Sequence, residues 1–237
     1  MNIYMLFISP PFGNYISLPY CKSVKGSYTL EERKGLFQQI INTLYYDKSK
    51  DGWVNKIGLR NKGIDYGIKN YNHEKDILSI AILKEDDINQ IISKIPEDTN
   101  IEINVSRPNI NKKLVNTNLN KFITNKREWC IIKCSPHTSK EQLKNYYNMG
   151  FRQFHFCNTL PVENGGLSGK SLIPYTNNLS EYMRNNYNDC KLINGGGIQK
   201  IDDIYNYKYG DHYSVSTLCF NPFKFGLFYY DYVKKIK

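Results

Sequence analysis

Eight apolar runs of strand length recur along the chain, and nearly every gap between them is long enough for a helix. The runs span residues 5–9, 23–29, 77–83, 101–106, 129–135, 153–158, 191–196 and 212–217. Strands that alternate with helices build right-handed βαβ units and a parallel sheet, whose strands are buried on both faces and read as continuous Ile, Val and Leu. Eight such units close into a (β/α)8 barrel of the TIM type. The connector between the first two strands is read as Ser17-Leu18-Pro19-Tyr20, too short for a helix, so the barrel is expected to be trimmed, without its first outer helix.

Helical periodicity fills the other gaps. In residues 86–95, Ile88, Ile91, Ile92 and Ile95 share one face. The stretch 139–149 opens on Ser139-Lys140-Glu141-Gln142, a capping-box pattern, and ends at Gly150, a C-cap residue. Residues 179–187, 201–209 and 223–236 supply the later helices. Long loops are expected at 30–71, 107–116 and 160–176, each following the C-terminal end of a strand, the face on which barrels of this class build their sites. With 237 residues, of which 41% are hydrophobic, the chain reads as one barrel domain over 1–237.

Composition excludes several classes. No apolar run approaches the roughly 18 residues of a membrane span, and residues 1–10 lack the basic leader and cleavage site of a signal peptide. A cytoplasmic protein without membrane association is expected. The six cysteines form no CxxC pair, so neither a zinc site nor a disulfide framework is expected, and no metal. The formal charge of +10 is spread thinly, which makes solvated lysine-rich faces a better account than a nucleic-acid surface.

Alternation along the strands selects the residues that face the barrel mouth. Ile131 and Lys133 share one face of their strand, and a lysine near a strand's C-terminal end is costly to bury without a partner. Lys133 is therefore expected to point inward toward an anionic or electron-rich ligand; a structural ion pair is the competing reading. Asn104 and Asn158, at the ends of their strands, are expected at the mouth as well. Asn194-Gly195-Gly196-Gly197 and the glycine-rich loop Gly165-Gly166-Leu167-Ser168-Gly169-Lys170, with Ser216 and Thr217, form a candidate phosphate cradle.

Seven segments in order carry a family resemblance: GSYTLEERKG at 26–35, NKIGLRNKG at 55–63, INVSRPN at 103–109, IIK at 131–133, CNT at 157–159, GGLSGK at 165–170 and NGGGI at 194–198. Together they resemble the successive motifs of dihydroorotate dehydrogenases (DHODH), FMN enzymes that oxidise dihydroorotate to orotate in pyrimidine biosynthesis. The resemblance implies FMN as cofactor, with Gly26, Ser27, Asn104 and Lys133 along its ring system and Gly166, Gly196, Gly197, Ser216 and Thr217 around its phosphate. Lys133 would place positive charge near N1 of the reduced flavin. It also implies a substrate held by Asn55, Asn104, Asn109, Asn158 and Thr159, whose amides match the alternating C=O and N–H edge of a pyrimidinedione.

The departure is Arg107, which stands where the family has the Cys or Ser that takes the substrate proton. Arginine stays protonated and cannot serve as that base. Two alternatives follow: an FMN oxidoreductase for another small anionic substrate, with Arg107 as a carboxylate anchor, or a flavin-binding barrel that has lost its chemistry. By the same resemblance, a soluble electron acceptor such as fumarate is favoured over a quinone, and a homodimer is compatible with the chain.

Overall fold

A computed structural model describes residues 4–105 and 118–236 of the chain. Its strands are β1 (Leu6–Ile8), β2 (Cys21–Tyr28), β3 (Tyr45–Asp47), β4 (Gly52–Asn55), β5 (Asp76–Ile80), β6 (Ile101–Asn104), β7 (Cys130–Lys133), β8 (Gln153–Phe156), β9 (Leu160–Val162), β10 (Gly165–Gly169), β11 (Lys191–Gly195) and β12 (His212–Val215). Eight of them close into a barrel in the order β1-β12-β11-β8-β7-β6-β5-β2, and every adjacent pair is parallel. These are the eight apolar runs of the sequence, and the architecture is a (β/α)8 barrel.

The helices are α1 (Leu36–Thr43), α2 (Ile64–Lys69), α3 (Glu85–Lys94), α4 (Lys140–Asn148), α5 (Ile173–Asn186) and α6 (Pro222–Ile236). Local chemistry sets their ends. At α4 the Ser139 hydroxyl accepts from the Gln142 amide at 3.1 Å, while the Gln142 side chain accepts from the Ser139 amide at 2.9 Å. Gly150 then ends the helix at φ +106°. At α3 the Asp87 carboxylate accepts from the amides of Leu83 and Lys84, and Ile88 and Ile91 are buried against the sheet.

Three expectations are corrected. The segment 201–209 is not an α-helix but a 3-10 turn over Ile201–Asn206. The connector between β1 and β2 is residues 9–20, not the four residues expected, although it holds only the 3-10 turn Phe12–Asn14, in line with a missing first outer helix. The segments 30–71 and 160–176 are not structureless loops: α1, α2, β3 and β4 lie in the first, and β9, β10 and the start of α5 in the second. The four strands combine into an antiparallel sheet of order β3-β4-β10-β9, with Gly166 opposite Asn55 and Gly169 opposite Gly52. Trp53 of this sheet stacks on Phe220, just after β12, at a ring separation of 4.3 Å. The sheet is thereby tied to the C-terminal end of the barrel.

The core has two compartments. Outward-facing strand residues such as Ile80, Ile103, Ile132, Phe154 and Leu192 pack against the helices. Inside the bore, Phe7, Val24, Ile77, Trp129, Ile131 and Ile193 form a separate apolar plug. No helix among the described residues is long and apolar enough to cross a membrane.

Candidate functional site

Above the apolar plug, inward positions on β5, β6, β7 and β8 are polar. Ser79, Glu102, Lys133 and His155 are all buried, Glu102 with no solvent exposure at all. The carboxylate of Glu102 accepts from the Ser79 hydroxyl at 2.9 Å and lies 2.6 Å from Nδ1 of His155. The Lys133 ammonium lies 3.4 Å from the same carboxylate. Burial alone would raise the Glu102 carboxyl; Lys133, His155 and the hydrogen bonds of His155 and Ser79 outweigh it and hold the group down to about 2. Burial and the Lys133 cation together push His155 below its ordinary range, against the pull of Glu102.

A carboxylate accepts and never donates, so it sets the direction of every bond leading to it. Ser79 gives its hydrogen to Glu102, hence Ser27 must give its own to Ser79, at 2.8 Å. Asn104 Nδ2 donates to Ser27 Oγ at 3.0 Å, and Asn158 Nδ2 donates to Asn104 Oδ1 at 3.3 Å. A single directed chain therefore runs from the end of β8, through β6, β2 and β5, into the Glu102 carboxylate. Such chains hold their members in one arrangement, because each bond fixes the next.

Beside this chain opens a solvent-accessible cavity. Lys133, His155, Asn158 and Thr159 line one part; Gly195, Gly196, Gly197, Ser216 and Thr217 line another, with Ser168 and Gly169 from β10. The glycine run is held from behind, as Thr176 donates to the Gly195 carbonyl at 3.0 Å and the Tyr207 hydroxyl donates to that of Gly196. Gly197 sits at φ +82°, and a Cβ there would lie 2.6 Å from the Lys170 Cα. The amides of Gly196, Gly197 and Ser216 make no hydrogen bond to another described residue. Backbone amides without a protein partner, on residues that line a cavity, are suited to an anion such as phosphate.

Not every candidate residue reaches this cavity. Gly166 belongs to β10, where it opposes Asn55, and a Cβ on it would strike the Thr159 hydroxyl at 2.3 Å. The stretch 165–170 is thus a strand and a turn, not a free glycine loop, and Ser168 and Gly169 take the cavity-facing place. Asn55 lies in the covering sheet and Gly26 beside the β5 backbone, neither lining the cavity. Arg107 and Asn109 lie outside the described residues.

No family model matches the chain, and no curated protein matches it by sequence. Among solved structures, DHODH from Eimeria tenella in complex with ferulenol superposes with a TM-score of 0.63 at 18% identity, covering 84% of this chain and 70% of that one. The fold resembles that of DHODH. On this DHODH-like barrel the cavity opens at the C-terminal ends of β8, β11 and β12, where barrels of this class place ligands.

Sequence reasoning missed Glu102, His155 and Ser79. Part of the signal was present, since Glu102 shares its strand face with Asn104, whereas His155 meets Lys133 only through the pairing of β7 with β8. Asn158 lies beyond the end of β8 at Phe156, so strand alternation no longer governs where it points.

Proposed function

We propose that the chain is an FMN-dependent oxidoreductase of the DHODH type, acting on dihydroorotate or a closely related small anion. The observation that carries the reading is the two-ended cavity, with a glycine-shaped anion cradle at one end and the Lys133 ammonium at the other. FMN has matching ends, a single phosphate and an electron-rich ring. Gly196, Gly197, Ser216 and Thr217 would hold the phosphate and Lys133 the ring. Bound there, FMN would supply hydride acceptance, chemistry that no side chain can perform.

The protein's own part is positioning and charge. Glu102 holds Lys133 at the cavity wall, and because the pair is close to neutral, the ammonium acts as an oriented donor more than as free positive charge. Asn104 and Asn158 are tied into the same chain, so a substrate amide edge would meet amides already fixed in direction. With Arg107 at the family's base position, base catalysis worth about 10² to 10⁴ in rate is missing from that residue. Arg107→Ser should therefore speed flavin reduction by dihydroorotate if the arginine only occupies the position, and slow it if the arginine anchors the substrate.

The deciding experiment is to purify the protein, release and weigh any cofactor, and reconstitute the apoprotein with FMN while following the flavin absorbance. Orotate titrated into the reconstituted protein should then shift the flavin band. Gly197→Ala should lower FMN affinity at least about tenfold, since the new methyl group strikes the Lys170 backbone, strains a positive φ and so displaces the turn that lines the cavity. Protein that neither retains nor rebinds FMN would rule the reading out.

A further inference from the structure

His155 is a buried titratable side chain for which the flavin reading has no use. It sits between two register partners, Lys133 on β7 and the uncharged Ile193 on β11. The charged groups facing its ring are Lys133 and, from β6, Glu102. Nδ1 is held 2.6 Å from the Glu102 carboxylate. Since a carboxylate only accepts, Nδ1 carries the hydrogen, and the neutral ring is left with a bare lone pair on Nε2. Nε2 makes no hydrogen bond to a described residue and is not among the sealed, unpartnered buried atoms. The ring itself lines the cavity.

Lys133 has three donors and no acceptor, so the cavity wall presents a donor and an acceptor on adjacent strands. A carboxylate or phosphate laid across the two would meet one attraction and one repulsion between lone pairs. A carbonyl next to an N–H would satisfy both. We propose that Lys133 and His155 form a paired donor and acceptor that reads the carbonyl–N–H edge of a cyclic imide, with Glu102 as the positioning residue that fixes the His155 tautomer. The inference rests on the flavin reading, because the pyrimidinedione edge of FMN is such an imide. It adds the side chain that receives the ring N–H, and it makes recognition depend on His155 staying neutral.

The test compares FMN with 3-methyl-FMN, in which the imide N–H is replaced by N–CH3, titrated into the full-length apoprotein. Wild type should bind FMN about tenfold more tightly, the usual cost of an acceptor left without its donor. His155→Leu should remove the preference. His155→Gln, whose amide can donate to Glu102 and still accept from the ligand, should retain part of it. A purely structural His155 would weaken both flavins in parallel. The preference should also shrink once the pH falls below the lowered His155 value, because an imidazolium donates from both nitrogens. Equal affinity of wild type for the two flavins, or a preference unchanged in His155→Leu, overturns this inference and leaves the flavin reading standing. Failure of wild type to bind FMN at all overturns both.

Discussion

The lower and upper halves of the barrel bore share β5 and β7, where Ile77 and Ile131 stand two residues before Ser79 and Lys133, yet their chemistry is opposite. Below, Phe7, Ile77, Trp129, Ile131 and Ile193 pack as a closed apolar plug. Above, Ser79, Glu102, Lys133 and His155 form a buried polar cluster in which a lysine and a histidine meet one carboxylate. Apolar packing is nearly indifferent to direction, whereas the polar cluster works only if every donor finds its acceptor. The plug therefore stabilises the barrel, and the cluster spends part of that stability to orient groups toward a cavity.

The sharpest way to break this contrast is to remove the shared acceptor. Glu102→Ala should cost about 3–5 kcal/mol in urea unfolding, since Lys133 and His155 would be left buried and unpaired. Replacing both ion-pair partners, as in Glu102→Leu with Lys133→Met, should recover much of that loss while abolishing FMN binding. A double variant as unstable as Glu102→Ala would show that the cluster is needed for the fold itself.

Acid should separate the halves next. His155 is held below its ordinary value of 6.5, so the folded state favours the neutral ring. Its contribution to stability is complete above that value and is lost as the pH falls through the lower folded-state value. Glu102 is depressed from 4.5 to about 2, so its contribution is present above 4.5 and is lost toward 2. Wild type should thus unfold at lower urea near pH 5 than near pH 7. His155→Gln should flatten that part of the profile, and an unchanged slope would mean that His155 is not the group responsible.

The smallest effect is expected in the plug. Ile193→Val deletes one methylene and should cost about 1 kcal/mol with no change in FMN affinity. A loss of affinity there would mean that the two halves are mechanically coupled.

Much of the barrel was legible in the sequence, because strands buried on both faces must be written in continuous apolar residues; the runs around Ile77, Ile101, Ile131 and Leu192 show this. The inward direction of Lys133 was legible from alternation, but its partner was not, because Glu102 and Lys133 meet only when β6 and β7 pair. The covering sheet was hidden for two reasons. Its strands are short and rich in glycine, and each half finds its partner far along the chain. The segment at Ile201 carried helical spacing, yet it folds as a 3-10 turn whose first-turn carboxylate, Asp203, accepts from the amides of Gln199 and Lys200.

The pairing of β4 with β10 also sets a timetable for synthesis. The hairpin of β3 and β4 leaves the ribosome long before the residues that complete its sheet, so β4 spends that interval with an open edge. Open edges invite pairing with the wrong chain, and here the exposure is limited by shortness and by the charged turn Asp47-Lys48-Ser49-Lys50-Asp51 beside it. The covering sheet is consequently completed only after β8 has been made, and a nascent chain stalled before Gly165 would carry six of the eight barrel strands with that edge of β4 still open.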